Sequence, residues 1–249
     1  MSNVRTRPLM IEPEGTADPC ITCEARAYSV CNAIDDTDLD RLAVLATPLV
    51  VEAGRCFIEE GDPAEHFFNV TQGTAKLFKL LPDGRRQITG FATTGHFLGL
   101  AVSATYAFGA EAVDEVRVCR FSRTKLRLLL DDYPAMEKRL LEVASNELVA
   151  AQEQMLLLGR KTARERLASF LVARASTAPG VMLFGEHGAS VVSLPMTRSD
   201  IADYLGLTIE TVSRTLTRFK TEKLIDIPNA SQIIMRNFVA LESLATGLH

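Results

Sequence analysis

No stretch of this chain approaches the ~18 to 20 consecutive apolar residues that a membrane-crossing helix requires, so no membrane partner is expected. The first residues, MSNVRTRPLMIEPEGTADP, lack the apolar run of a signal peptide. They mix Pro, Gly, Thr and charge without periodicity, which reads as a flexible N-terminus over 1–19 and a cytoplasmic protein. The sequence also has no GxGxxG turn, no nucleophile–base pair and no substrate-pocket motif, so an enzyme is not expected. An overall excess of positive charge is missing too: the formal net charge of −4 excludes a protein coated in basic residues. The four histidines, His66, His96, His187 and His249, show no ligand spacing and read as surface or structural residues. Cysteine is scarce and odd in number, at five, and cytosolic thiols stay reduced, which removes a disulfide framework.

The sparse features are unevenly placed. Between Arg160 and Arg236 eleven Lys/Arg face seven Asp/Glu, a local +4, which leaves −8 on the rest. The C-terminal third is therefore the part suited to a polyanion. Three of the five cysteines fall within the twelve residues CITCEARAYSVC, from Cys20 to Cys31. A length of 249 residues with 47% apolar side chains allows one large domain or two modest ones, each with its own core.

After Cys31, IDDTDLDRLAVLA reads as a short capped helix with apolar positions Leu39, Leu42 and Leu45. From about Pro48 to Ser122 the pattern turns to short β runs: PLVVEAG, RCFIEEGD, HFFNVTQG, TAKLFKLLPDG, RRQITGFATTG and EAVDEVRVCRF. The first five end at or contain a Gly or Asp-Gly turn signal, and the series predicts a barrel or sandwich. The period then changes. From Thr124 to about Ala175 the chain is rich in Leu, Ala, Glu, Arg and Lys, and one long helix is expected. Within it Leu141, Leu148 and Met155 recur every seven residues, as do Ala144, Ala151 and Leu158. That repeat describes a seam for a second copy of the helix, the alternative being packing on the helix's own domain. STAPGVMLFGEHGAS reads as a linker or hairpin into the last unit.

That unit contains PMTRSDIADYLGLTIETVSRTLTRFKTEKLI. Thr197 with Asp200 predicts a capping box and a helix from near Arg198, Gly206 supplies a turn, and Thr208 caps a second helix running to about Lys223. Two short helices joined by a glycine-bearing turn describe a helix-turn-helix, with IIMRNFVALESL adding a small strand and a closing segment, a winged variant. In such a motif the second helix enters the major groove of double-stranded DNA. Ile209, Glu210, Ser213 and Arg214 share one face of it and their chemistry suits base edges, with Arg214 matched to guanine and Glu210 to cytosine. Arg218 and Lys220 are expected at phosphates.

LTIETVSRTLTRFK resembles the recognition helix of the CRP/FNR superfamily of transcription regulators, and its E-x-x-S-R pattern the FNR type. LLLGRKTARERLASFL resembles the end of that superfamily's dimerisation helix, and the similarity covers nearly the whole chain from Cys20. The resemblance implies an α+β chain: flexible 1–19, a cluster-binding loop and cyclic-nucleotide-binding-like β-roll sensor domain over 20–125, a long dimerisation helix over 126–160 and a winged helix-turn-helix over 161–249. The C-x2-C-x7-C spacing is similar to the FnrN/FnrL-like members.

Where cyclic-nucleotide receptors of the superfamily carry a glutamate for the ribose and an arginine for the cyclic phosphate, this chain reads GHFLGLAVSATYAFGAEA (95–112) and lacks both, so no cyclic nucleotide is expected. Cys20, Cys23 and Cys31 leave a fourth ligand to come from Cys56 or Cys119. The resemblance implies Cys119, just before the long helix, and leaves Cys56 as a packed core residue. Four thiolates fit zinc or an iron–sulfur centre, and a structural zinc site normally pairs two C-x2-C knuckles where this chain has one. The resemblance implies one oxygen-labile [4Fe–4S] cluster per subunit of a homodimer that binds a palindromic TTGA-type site. It also implies contact with RNA polymerase near the hairpin GTAKLFKLLPDGRRQITG, through Asp83, Gly84, Arg85 and Arg86. Zinc, haem or another small ligand in a regulator of the same family is the alternative, and an iron–sulfur redox protein a further one.

Overall fold

The computed structural model describes residues 10–11, 20–100, 103–177 and 190–247. The chain divides into two compact units, Met1–Leu148 and Val149–His249. Among the described residues no helix is long and apolar enough to cross a membrane.

In the first unit a two-residue strand, β1 (Met10–Ile11), lies within the segment expected to be flexible, the rest of which falls outside the described residues. Three short 3₁₀ turns (Glu24–Tyr28, Val30–Ala33 and Asp36–Asp38) lead into α1 (Leu39–Ala43). The strands follow: β2 (Ala46–Val51), β3 (Cys56–Ile58), β4 (His66–Gln72), β5 (Ala75–Leu80), β6 (Arg86–Ala92), β7 (Phe97–Leu98), β8 (Gly109–Ala112) and β9 (Val116–Ser122). They form two antiparallel sheets, β1-β2-β9-β4-β7 and β3-β8-β5-β6, the expected β-roll.

Strand β9 shows why the roll has two cores. Side chains alternate across a strand, so Val116 and Val118 point between the sheets, where they meet Leu49, Val70, Ala75 and Ala112. Cys119 and Phe121 point the other way, against Val30, Leu39, Leu42 and Phe67. The run EAVDEVRVCRF, expected as one strand, is two strands in different sheets. Asp114 sits in the turn between them and accepts the Thr74 backbone N–H at 2.6 Å, which holds the break.

The single long helix expected from Thr124 is instead three: α2 (Arg123–Asp132), α3 (Pro134–Arg160) and α4 (Ala163–Thr177). Pro134 forces the first break, because it disfavours helical backbone at Tyr133 and is best placed at the first position of a new helix. The second break is a reciprocal cap: Glu165 Oε2 accepts the Thr162 N–H at 2.8 Å, and Thr162 Oγ1 accepts the Glu165 N–H at 3.4 Å. The expected linker over 176–190 lies outside the described residues apart from the end of α4 and the start of the next strand.

The second unit continues with β10 (Ser190–Ser193), α5 (Arg198–Leu205), α6 (Ile209–Thr221), β11 (Ile225–Asn229), β12 (Gln232–Met235) and α7 (Phe238–Thr246). The strands form a three-stranded antiparallel wing, β10-β12-β11. Arg166 on α4 binds the unit together by donating to the carbonyls of Leu158 at 2.8 Å, Lys161 at 2.9 Å and Leu205 at 2.9 Å.

Phe121 is 1% exposed at the centre of the outer core of the roll. Phe121→Ala is expected to destabilise the first unit by about 3–5 kcal/mol, read as a lowered urea midpoint of the β-rich transition. An unchanged midpoint would remove this residue from the core.

Candidate DNA interface and cysteine pocket

The helix-turn-helix forms as its caps dictate. The Thr197 side chain accepts the Asp200 N–H at 3.1 Å, and Asp200 Oδ2 accepts the Thr197 N–H at 3.0 Å. Gly206 ends α5 with φ of +60°, the left-handed conformation that glycine adopts without strain. Thr208 caps α6 by accepting the Thr211 N–H at 3.3 Å. Val212, Leu216 and Phe219 turn inward at helical spacing. The opposite face leaves Ile209, Glu210, Ser213, Arg214, Thr217, Arg218 and Lys220 exposed. Thr217 extends the row that Ser213 begins, at i+4, and was not among the residues singled out from sequence.

Glu210 is held below the usual carboxylate range by its own backbone N–H, then by the Thr208 side chain and by the charge of Arg214. It therefore faces out as an ionised, acceptor-only group. Arg218 is exposed and also pairs within its own helix. Its Nε donates to Glu222 at 2.9 Å, and Glu222 also receives both ends of the Arg164 fork. Arg218 thus shares Glu222 with Arg164, and Lys220 is exposed in the last turn of the helix.

The cysteines lie in the first unit. Cys31 is 8% exposed and packs in the same apolar cluster as Phe67, Phe121 and Met136, with Cys20 and Cys119 at its edge. Burial pushes the Cys119 thiol up to about 12, with the nearby Cys23, Cys31 and Cys20 adding to the rise. Burial also raises Cys31, while a bond to Ser29 and the charge of Arg26 pull it back. The four thiols named from sequence are therefore neighbours. They do not converge on a point, for among the described residues no group of three Cys, His, Asp or Glu side chains could hold one metal ion.

Local folding explains the grouping. Cys23 precedes the first 3₁₀ turn, and Ser29 Oγ accepts the Cys31 N–H at 3.2 Å, starting the second. Gly95 lets the β6–β7 turn approach this segment closely: at φ of +92°, a Cβ there would stand 2.7 Å from Tyr28 Cβ. Sequence reading missed Arg26, whose guanidinium donates to the Ile34 carbonyl at 2.7 Å and pairs with Asp36 at 2.5 Å. The two consecutive 3₁₀ turns set that charge near Cys31.

Cys56 is not a core residue as expected; it is exposed. A register shift between Cys56 and Ile58 sends Ile58 inward and leaves Cys56 opposite Glu111, which pairs with Lys76 at 2.8 Å. His66 is on β4, its imidazole lowered by burial and then by Arg120, and His96 bonds within its own turn to Thr93. His187 and His249 lie outside the described residues.

On α3 the repeating positions present an apolar stripe. Leu141 is 69% exposed, Leu148 62% and Met155 72%, with Ala144 and Ala151 exposed between them and Leu158 half-buried. In the β5–β6 hairpin, Asp83 accepts the Arg85 N–H at 3.0 Å, and Asp83, Gly84 and Arg85 are exposed. Arg86 is turned back, lying over the Phe78 ring and 3.5 Å from Glu111.

Two families match this chain: the cyclic nucleotide-binding domain over residues 48–133 and the Crp-like helix-turn-helix domain over residues 165–244. The nitrogen fixation regulation protein FixK of Bradyrhizobium diazoefficiens is 41% identical, over 88% of this chain and 90% of its own length. The transcriptional activator protein FnrL of Cereibacter sphaeroides is 36% identical, over 89% of this chain and 90% of its own. Among solved structures, FixK2 from Bradyrhizobium japonicum superposes with a TM-score of 0.73 at 36% identity, covering 80% of this chain and 96% of that one.

The exposed face of α6 generates two separable outcomes. Arg214→Ala is expected to cost about 1–3 kcal/mol at a cognate DNA site and to relax discrimination at one base pair. Lys220→Ala should weaken binding to all sequences alike and reduce the salt slope by about one. Equal losses on specific and random DNA for Arg214→Ala, measured by fluorescence anisotropy, would remove it from base reading.

Proposed function

The chain belongs to the CRP/FNR family of DNA-binding transcription regulators, and on that premise we propose an oxygen-responsive member. In this reading Cys20, Cys23, Cys31 and Cys119 hold one [4Fe–4S] cluster per subunit, and the cluster controls how two chains pair and bind a palindromic TTGA-type site. The observation that carries it is the gathering of Cys20, Cys31 and Cys119 at one apolar cluster that also contains Met136 and Leu140, from the first turns of α3, with Cys23 close enough to act on the Cys119 thiol.

The donor set is all sulfur, which selects zinc or iron–sulfur chemistry over hard cations. A single zinc ion would sit ~2.3 Å from every sulfur. A structural zinc site of four thiolates normally pairs two C-x2-C knuckles where this chain has one, which favours the iron–sulfur body. When bound, the cluster supplies a redox centre that oxygen can dismantle. The chain's own residues do the rest. Cys119 is anchored on a central strand between β2 and β4, while Cys20, Cys23 and Cys31 belong to short turns that can reseat. Such a shift is felt by Met136 and Leu140, and α3 carries the pairing stripe.

Pairing of two such stripes makes a homodimer and sets two α6 helices one turn of DNA apart. Asp83, Gly84 and Arg85 are the hairpin surface offered to RNA polymerase, with Arg86 withheld. A cyclic nucleotide is not the effector in this reading: no arginine stands in residues 95–112 to pair a cyclic phosphate.

Anaerobic purification with iron and acid-labile sulfide analysis tests the assignment. Replacing any of Cys20, Cys23, Cys31 or Cys119 with serine should abolish the chromophore, and Cys56→Ser should leave it. Zinc in place of iron, or bleaching by Cys56→Ser alone, would overturn it.

The stripe on α3 holds no charge, so nothing along it opposes pairing, and its two alanines limit the area gained. Air-exposed protein at micromolar concentration should therefore keep appreciable dimer in the ultracentrifuge. A clean monomer would mean that the cluster itself supplies the dimer contact.

A further inference from the structure

Asn69 lies on β4 and is 1% exposed, yet its Oδ1 has no hydrogen-bond partner. A buried amide oxygen left without a donor costs stability, and such atoms are rare in folded proteins. Its position is specific. The register sets Asn69 directly opposite Cys119 on β9 and opposite Phe97 on β7. Opposed residues on adjacent strands point to the same face. That face is the cysteine side of the sheet, because Phe67, Phe97 and Phe121, which share its parity, all belong to the cluster that includes Cys31.

Asn69 therefore shares its face with Phe97 on one neighbouring strand and Cys119 on the other. Of these two cross-strand neighbours only Cys119 has a side-chain atom that can take a hydrogen bond. An amide turned half a revolution about its last bond presents its NH2 group where the oxygen stood. A neutral Cys119 thiol gains little from that group. A ligating thiolate gains much, because it is a buried negative charge that needs donors.

We propose that Asn69 is a positioning residue for the group held by the cysteines, its side-chain N–H donating to the Cys119 sulfur once that sulfur is a ligand. The inference rests on the cluster reading above and adds to it a residue that is not itself a ligand. Asn69 carries an unmet hydrogen bond while the cysteines are free and a met one when they are engaged. Its removal should then have opposite effects on the two forms, which a purely structural role would not produce.

The test uses the full chain, loaded with ferrous iron and sulfide under anaerobic conditions, as wild type, Asn69→Leu and Asn69→Ser. Wild type should contain four irons and four labile sulfides per chain; if it contains none, the cluster reading fails and the Asn69 role with it. With the cluster present, Asn69→Leu should lose it in air about tenfold faster, lower its reduction potential and shift an iron–thiolate stretch in resonance Raman. Asn69→Ser, which keeps a donor, should lie between the two. Without iron, the urea midpoint of Asn69→Leu should equal or exceed that of wild type. Wild-type decay rate, potential and Raman stretch in a cluster-bearing Asn69→Leu would overturn the Asn69 role alone. So would an iron-free protein that Asn69→Leu and Asn69→Ser both destabilise, since the amide would then have a structural task.

Discussion

The outer face of the five-stranded sheet cannot be left to water, and much of the first unit follows from that. Phe67, Phe97 and Phe121 stand on it together, and their burial is worth several kcal/mol. The cover is the N-terminal segment with its three 3₁₀ turns, together with α1, α2 and the first turns of α3. That segment is also where Cys20, Cys23 and Cys31 lie. The burial that stabilises the roll thus delivers three thiols to the fourth, and places the start of α3 among them. Sensing and pairing are proposed to communicate here because they share one apolar cluster, not because any bond links them.

A similar economy runs through the second unit. The two helices of the helix-turn-helix are short, eight and thirteen residues, and isolated helices of that length are marginal in water. Their caps and the inward row of Val212, Leu216 and Phe219 hold them. Arg166 reaches back to the end of α3 and forward to Leu205, so that one guanidinium ties the turn of the motif to the chain entering it. The exposed side of α6 is in this way free of structural duties and carries Glu210, Ser213 and Arg214 outward. Arg218, on the same side, pairs with Glu222 one turn on, an exposed ion pair of small energy.

The net charge of the chain is −4, and the DNA-binding role depends on how that charge is distributed rather than on its sum. The excess of cations in the C-terminal third supplies the general attraction to phosphate, while the acidic remainder keeps the sensor region from adhering to the same polyanion.

Much was legible before any fold was known, wherever one residue or a short spacing carries the physics. The capping pair Thr197–Asp200, the left-handed Gly206 and Thr208 bound the two helices within a residue or two, because helix ends are decided by nearby polar groups. The C-x2-C-x7-C spacing and the stripe on α3 are local patterns of the same kind. Other features depended on neighbours far along the chain. Pro134 and the Thr162–Glu165 cap were present in the sequence, but the helix-rich composition around them concealed two breaks. The exposure of Cys56 follows from a register shift against β8, which spacing cannot show. The cross-strand neighbours of Arg86, the pairing of Arg164 with Glu222 and the unmet amide oxygen of Asn69 on the strand beside Cys119 were decided only by tertiary structure. Each is a contact or a missing contact across strands, helices or turns, and such contacts do not exist until the sheets have closed.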